Sequence, residues 1–356
     1  MQFSICNTLF PLMSFEILDP TKYPGWDDIL LATPGYSFFH SSSWAKVLCE
    51  SYGYTPFYFA LIEDGRFRAL IPVMEVDSFL TGKRGVSLPF TDYCEPLIDG
   101  SIQFKDLFQV LIDFGKKRGW RYLEVRGGKD LLPDTPASST YLGHTLDLRE
   151  GEERIFSDLK DSTRRNIKKA LAQGVTARIS NDLDATREFF RLNCLTRKHH
   201  GLPPQPYYFF RKIYNHIISK GIGFVILAFN NSQAIAGAIF FNFGEIAIYK
   251  YGASDRKFQD LRGNNLVMWE AIKRYCQNGY KSLCLGRTEP ENQGLIQFKS
   301  GWGTAEKQIH YYRYDLKIEA FVNAFMRIPG FHNAIFRITP IPLLKKVGSV
   351  LYKHAG

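Results

Sequence analysis

The chain lacks every short signature that fixes a catalytic class at a glance. No nucleophile elbow, Walker loop, zinc-ligand spacing or paired-carboxylate motif occurs in its 356 residues. Covalent, nucleotide-hydrolysing and metal-dependent mechanisms therefore have no support in the sequence, and no metal site is expected. The six cysteines, Cys6, Cys49, Cys94, Cys194, Cys276 and Cys284, are scattered with no CxxC pair and no His at zinc spacing. They read as reduced core residues. Nowhere do about 18 apolar residues run uninterrupted, the length that a membrane-spanning helix needs. The opening MQFSICNTLFPLMSF has neither the basic start nor the long apolar run of a signal peptide, which points to a cytoplasmic protein, at most peripheral to the inner face of a membrane. Low-complexity tracts are missing as well, so a folded chain is expected.

What is present describes an ordinary globular protein, with 45% hydrophobic and 22% charged residues. The length suits two domains of about 150 residues each. The 29 Phe and 19 Tyr, many beside Gly or Pro, favour strands over long bundled helices. A formal charge of +10, clustered at 164–169 and toward the end of the chain, fits either an anionic partner or simple solubility.

Self-similarity is the most informative feature. YFALIEDGRFRALIPV (58–73) reads as strand, turn at Asp64-Gly65, strand; FVILAFNNSQAIAGAIFF (224–241) repeats it with the turn at Asn230-Asn231. Each predicts a β-hairpin. DLFQVLIDFGKKRGWRYLEVRGG (106–128) predicts an amphipathic helix stopped at Gly119 and then a short strand, and LVMWEAIKRYCQNGYKSLCLGRT (266–288) repeats that order with Gly279. Two matches in the same order argue for duplicated α/β domains with mixed sheets. We place the first domain at 14–155, the second at 156–315, and a basic, aromatic tail at 316–356. The tail reads as short amphipathic helices broken at Pro329, Pro340 and Pro342, either packed on the second domain or in contact with a membrane surface.

Four stretches can carry chemistry. VSLPF predicts a strand ending in Thr91-Asp92-Tyr93, where Asp92 can hold an acceptor amine or hydroxyl, or simply cap a turn. STRRNIKKALAQGV (162–175) predicts a helix with Arg164, Lys168 and Leu171 on one face and Arg165 and Lys169 on the next. It is either a phosphate site at a helix N-terminus or a solvated basic face. Tyr249 and Tyr251 alternate with Lys250 and share one sheet face, in a cleft or in the core. LGRTEPENQGLIQFKSGWGTAE (285–306) has no regular periodicity and predicts a tight loop that sets Lys299 among Phe298, Trp302 and glycines. A Lys there can neutralise a developing oxyanion, the alternative being an ordinary surface Lys.

Taken in order, FHSSSW (39–44), SLPFTDYCEPL (87–97), TRRNIKKALAQGV (163–175), TRKHHGLP (196–203), YKYGAS (249–254) and LGRTEPENQGLIQFKSGWG (285–303) resemble the Fem aminoacyl ligases and the Fem-like acetyltransferases of exopolysaccharide and exosortase systems. The resemblance implies two tandem GNAT-like acetyltransferase domains, with the active site in the second near the interdomain groove. It implies that Phe298 and Lys299 position the donor ester and stabilise the transition state; for the proton our own reading is Asp92 or a carboxylate of the substrate. It also puts Tyr249 and Tyr251 on a cleft-lining strand and Arg165 with Asn166 on the second domain's entry helix. Arg287, Tyr93 and Trp44 complete the substrate-binding set. The long charged helical hairpin of fuller members is missing, and Lys46, two residues beyond Trp44, is not a secure match for the family's first-domain Lys.

The resulting expectation is an N-acyltransferase acting on a cell-envelope glycan or peptidoglycan-type precursor. Its co-substrate is aminoacyl-tRNA or acyl coenzyme A, with no cofactor bound permanently and no DNA. The stretch 259–265 keeps only Gly263 of a phosphate-cradling loop, which weakens the coenzyme A case. Two alternatives are an acetyl-CoA-dependent acetyltransferase of exopolysaccharide synthesis and a non-catalytic module that binds anionic glycan intermediates through Arg164, Arg165, Lys168 and the tail.

Overall fold

A computed structural model describes residues 3–4, 15–100, 102–323 and 331–356. Cys6, Pro329 and Phe325 lie outside the described residues. The first part of the chain forms β1 (Phe3–Ser4), β2 (Glu16–Leu18), α1 (Trp26–Leu31), α2 (Ser42–Tyr52), β3 (Thr55–Glu63), β4 (Arg66–Val76), β5 (Arg84–Val86), β6 (Leu97–Ile98), α3 (Phe104–Arg118), β7 (Tyr122–Arg126) and β8 (Ser139–Asp147). Next come α4 (Gly151–Asp158), α5 (Asp161–Ala172), β9 (Thr176–Ser180), α6 (Leu183–His199), α7 (Tyr207–His216), β10 (Gly223–Asn230), β11 (Gln233–Phe243) and β12 (Ile246–Ser254). The remainder is α8 (Gly263–Gln277), β13 (Ser282–Thr288), α9 (Gln293–Ser300), β14 (Ala305–Asp315), β15 (Ala320–Val322), α10 (Phe331–Ile338) and α11 (Ile341–Leu351).

These elements build two compact units, one of residues 1–141, 309–327 and 353–356, the other of 142–308 and 328–352. The first unit's strands run β1-β2-β3-β4-β5-β7, closed by residues 309–315 of β14. Among its described strands only the β5–β7 pair is parallel. The second unit's strands run β9-β10-β11-β12-β13, closed by residues 142–147 of β8, and only β12–β13 is parallel. Both units thus share one path: a hairpin, a third antiparallel strand, and then a parallel strand reached through a helix. The sequence repeats are the hairpins and helix–strand pairs of this duplicated mixed α/β fold. Its units divide inside β8 and β14, whereas the sequence suggested breaks at 155/156 and 315/316.

The first hairpin turns where expected, with Asp64 and Gly65 at φ 50° and 72°, the left-handed pair that a two-residue turn between twisted strands requires. In the second hairpin Asn230 pairs with Gln233. The turn is therefore Asn231-Ser232, one residue later than expected, with Asn231 at φ 52°. Asn tolerates that conformation better than most residues, so either Asn could have led the turn.

In the second unit, Phe224, Ile226, Ala236, Ala238 and Phe240 form one sheet face and pack against Ile167 of α5 and Leu266, Ala271 and Tyr275 of α8. The opposite face meets α6 and α7. The first unit buries Phe59, Ile71, Val73, Leu123 and Val125 against Leu107, Phe108 and Leu111 of α3. The tail folds as two helices broken at Pro340. α11 packs on α6, with Leu344 buried, and a Cβ at Gly348 would stand 2.0 Å from the carbonyl oxygen of Pro204, beyond the end of α6. The last residues join the first unit, where His354 Nδ1 meets Ser78 Oγ at 3.0 Å and Arg84 Nε donates to the Gly356 carbonyl at 2.9 Å.

Candidate active site

β12 and β13 run side by side only where Ile246–Ile248 pair with Ser282–Cys284. Both strands continue, β12 to Ser254 and β13 to Thr288, and part as they go. Each carries an irregularity at the point of divergence. Opposite β11, Ile239 pairs with Tyr251 and Phe240 with Tyr249, which leaves Lys250 as an extra residue. Opposite β8, the register of β13 shifts between Cys284 and Arg287, where Gly286 takes φ 70°. Bulges bend a strand and increase its twist, and glycine accepts the left-handed backbone at no cost. The result is an opening between Tyr249–Gly252 on one strand and Leu285–Thr288 on the other.

The bulge overturns one expectation. With Lys250 inserted, Tyr249 and Tyr251 lie on opposite faces. Tyr249 packs on Phe240, 5.5 Å between ring centroids, on the α5/α8 side; Tyr251 packs on Phe210 of α7 at 5.7 Å. An extra residue reverses the alternation on which the shared face depended. Tyr249 is half-buried, and burial pushes its phenol up to about 12. Its ring runs along the strand to Gly252, where a Cβ would come 1.7 Å from the Tyr249 hydroxyl oxygen.

Lys299 is also placed differently from the expected loop. Residues 293–300 form helix α9, started by Asn292, whose side chain accepts a hydrogen bond from Leu295 N. The short run around Gly294 hid this helix from periodicity. Lys299 is 2% exposed, which rules out the surface-lysine reading. Its Nζ donates to the carbonyl oxygens of Gly286 (2.9 Å) and Arg287 (3.0 Å). A buried cation therefore sits on the two carbonyls at the bent end of β13. The half-buried Phe298 packs edge-on to Trp302, 6.0 Å between ring centroids.

The start of α5 reaches the same place. Lys160 N donates to Gly301 O at 3.2 Å, and a Cβ at Gly301 would stand 2.5 Å from Thr163 Oγ1. Arg165, exposed, and Asn166, half-buried, follow on that helix. Arg164 is tied locally to Asp161 and to Ser157 O. α8 opens at Gly263 after a short 3-10 turn, Arg256–Leu261, that follows β12, and is preceded by Arg262 at φ 58°. Lys299, Phe298, Arg287 and Tyr249 thus sit around the divergence of β12 and β13 in the second unit, and Arg165 and Asn166 belong to the same unit on α5, whose start meets Gly301.

Asp92, Tyr93 and Trp44 belong to the first unit. The expected strand through VSLPF stops at Val86, because Leu88 and Phe90 take φ 56° and 60° around Pro89. Left-handed backbone in bulky residues is strained and persists only where surroundings hold it. Here Thr91 Oγ1 and Arg126 Nη1 both donate to Leu88 O, at 2.6 and 3.0 Å. The Asp92 carbonyl accepts from the Tyr311 hydroxyl at 2.7 Å, and Tyr93 stacks edge-on against Phe39. Trp44 is fully buried beside Phe38 and Phe39. That burial makes it a core residue of its unit and removes it from direct contact with a substrate.

Sequence reasoning missed His144 and Thr288. His144, buried on β8, has Nε2 3.3 Å from Glu306 Oε2, and burial together with the charge of Lys299 lowers its pKa. Thr288, at the end of β13, is fully buried, and its hydroxyl has no partner among the described residues. A lone His in LGHTLDL and a Thr at a strand end carry no periodic or motif signal.

Residues 157–300 match the family model described as Acetyltransferase (GNAT) domain. This stretch carries a GNAT domain. The domain spans α5 through α9 and contains the diverging strands, Tyr249, Arg287, Phe298 and Lys299. Solved structures share the fold over most of the chain. FemX aligns at 14% identity and TM-score 0.66, covering 83% of this chain and 96% of that one. A tandem GNAT protein of the clavulanic acid pathway aligns at 10% identity and TM-score 0.54, covering 85% and 98%. A conserved protein of unknown function from Bacteroides thetaiotaomicron aligns at 12% identity and TM-score 0.56, covering 85% and 99%. No curated protein sequence matches this chain. Among the described residues, no helix is long and apolar enough to cross a membrane, and no three His, Cys, Asp or Glu gather as a metal-binding group.

Proposed function

We propose that the chain is a GNAT-type acyltransferase that moves an activated acyl or aminoacyl group onto an amine of a cell-envelope glycan or peptidoglycan-type precursor. The observation that carries this reading is the opening between β12 and β13 inside the GNAT domain, with a buried cation at its end. The donor ester or thioester is already activated, so the protein's work is to orient it, take a proton from the amine and stabilise the oxyanion. The amine nitrogen attacks the acyl carbon, and as the tetrahedral centre collapses the bond to the donor oxygen or sulfur breaks, the proton lost by the amine ending on that departing oxygen or sulfur. Left alone, the carbonyls of Gly286 and Arg287 would present negative dipole ends near a developing oxyanion. Lys299 neutralises them, so the end of β13 can accept negative charge. The Fem-like elements of the sequence are what supports an envelope precursor as acceptor; the likeness to FemX supports the fold.

The test is transfer itself. Purified protein is incubated with acetyl-CoA or a mixed aminoacyl-tRNA pool, together with a nucleotide-linked muropeptide, and the acceptor is followed by mass spectrometry. Wild type adds an acyl or aminoacyl mass, and Lys299→Met does not. A folded wild-type protein that modifies no amine acceptor with either donor would refute the reading.

One observation favours acetyl-CoA as donor: α8 starts at the end of the short connection that follows the diverging strand, with Gly263 pressed on the sheet so that a Cβ would lie 3.0 Å from Ala236 Cβ. A helix N-terminus there suits a pyrophosphate. With a single glycine in the loop, the expected affinity for acetyl-CoA is no better than high micromolar, and calorimetry giving a low-micromolar constant would favour this second reading.

A further inference from the structure

The second unit holds an open cavity of about 570 Å³ just beyond the end of β12, lined by Leu195, Lys198, His199, His200, Arg256 and Arg337. No carboxylate is among these lining residues. Arg256 Nη1 lies 3.1 Å from His199 Nε2, and the His200 ring is 5.3 Å from that of His199. Burial lowers the pKa of His200, and the neighbouring His199, Arg197 and Arg337 lower it further. Cationic side chains crowded together without a counter-charge are stabilised by an anion, and guanidinium groups suit phosphate oxygens in particular.

Arg337 belongs to α10, whose neighbouring positions Ile335 and Ile338 are 47% and 80% exposed. Leu343, Val350 and Leu351 of α11 are exposed as well. Large aliphatic side chains held in water beside cations mark amphipathic helices that lie in a membrane interface. From Ala320 to Gly356 there is no Asp or Glu, while Arg327, Arg337, Lys345, Lys346 and Lys353 are present. On α10 and α11 the charged residues are Arg337, Lys345 and Lys346, with no carboxylate, which suits an anionic surface.

We propose that α10 and α11 seat on an anionic membrane surface, with the Lys198–Arg256–Arg337 cavity taking a phosphate-bearing lipid headgroup and Ile335, Ile338 and Leu343 entering the boundary between headgroups and acyl chains. The assignment does not depend on the acyltransferase reading.

The experiment is co-sedimentation of the full chain with vesicles of phosphatidylcholine alone or with about one third phosphatidylglycerol, at low and high salt. Binding is expected on the anionic vesicles only and falls with salt as the surface potential is screened. Arg337→Gln is expected to weaken it about fivefold, the worth of one basic side chain near such a surface. Ile338→Glu and Leu343→Glu, at exposed positions that do not hold the fold, should each weaken it by about tenfold or more. Lys220→Gln, an exposed cation outside both helices, should leave it unchanged. Wild-type-like binding by folded Ile338→Glu, or equal binding to both vesicle types, overturns the proposal. So does tight calorimetric binding of glycerol phosphate without vesicle binding, or retention of an oligonucleotide in place of vesicles.

Discussion

At the scale of single residues, burial decides what Lys299 is for. A lysine at 2% exposure persists as a cation only if its hydrogen bonds offset desolvation, and Gly286 O and Arg287 O supply them. Lys299→Met leaves both carbonyls without this donor, so it is expected to cost about 2–4 kcal/mol of stability and to lower transfer by about 10² to 10³ fold. The exposed Lys307→Met should change stability by at most about 0.5 kcal/mol and leave turnover normal. Melting and turnover of both variants check this; normal turnover in a folded Lys299→Met protein would sink the assignment. A second buried titratable group sets an acid limit. His40 accepts from Ser37 N through Nδ1, meets Glu95 O through Nε2, and is held neutral, its pKa lowered by burial to about 4. Between the unfolded value near 6.5 and about 4, the unfolded chain binds a proton that the folded chain does not. This contribution is thus fully present above pH 6.5 and is lost as pH falls through that window, by about 3 kcal/mol in all. Urea unfolding from pH 7 to 4 should show the loss, and His40→Asn should flatten it; an unchanged slope in the variant would refute the role.

At the scale of elements, local irregularity sets the geometry of the opening. The extra residue Lys250 sends Tyr249 and Tyr251 to opposite faces, and Tyr249 then needs the space that Gly252 leaves. Gly252→Ala should force the Tyr249 ring aside at a cost of about 1–3 kcal/mol, whereas Ala is otherwise the better strand residue. The Tyr249→Ala background should erase most of that cost, since the clash is with this ring. A double-mutant cycle by thermal melting reads the coupling, and additive effects would contradict the placement of the ring.

At the scale of the whole molecule, the strands that close each sheet come from distant sequence. Unit one needs residues 309–315 of β14 beside β7, and unit two needs residues 142–147 of β8 beside β13. A fragment ending at 155, the boundary suggested by the repeat, keeps β8 but leaves the edge of β7 open. Unpaired buried edges do not survive in water. The fragment 1–155 is therefore expected to be insoluble or protease-sensitive, while the full chain folds; circular dichroism and limited proteolysis decide, and a cooperative native fragment would contradict this strand assignment.

The sequence alone determined what depends on neighbours along the chain. The hairpin at Asp64-Gly65, the helix stops at Gly119 and Gly279 and the duplicated order all follow from periodicity and turn chemistry that a short window contains, while the Fem-like elements through Phe298-Lys299 were legible only as a resemblance. Tertiary structure decided what depends on register and burial: the bulge at Lys250, the short helix carrying Lys299, the left-handed Leu88 and Phe90, the core position of Trp44, and the presence of His144 beside Lys299. The physical reason is that a bulge or a buried, hydrogen-bonded cation is stabilised by strands and helices far apart in sequence, so no local pattern carries its cost or its reward.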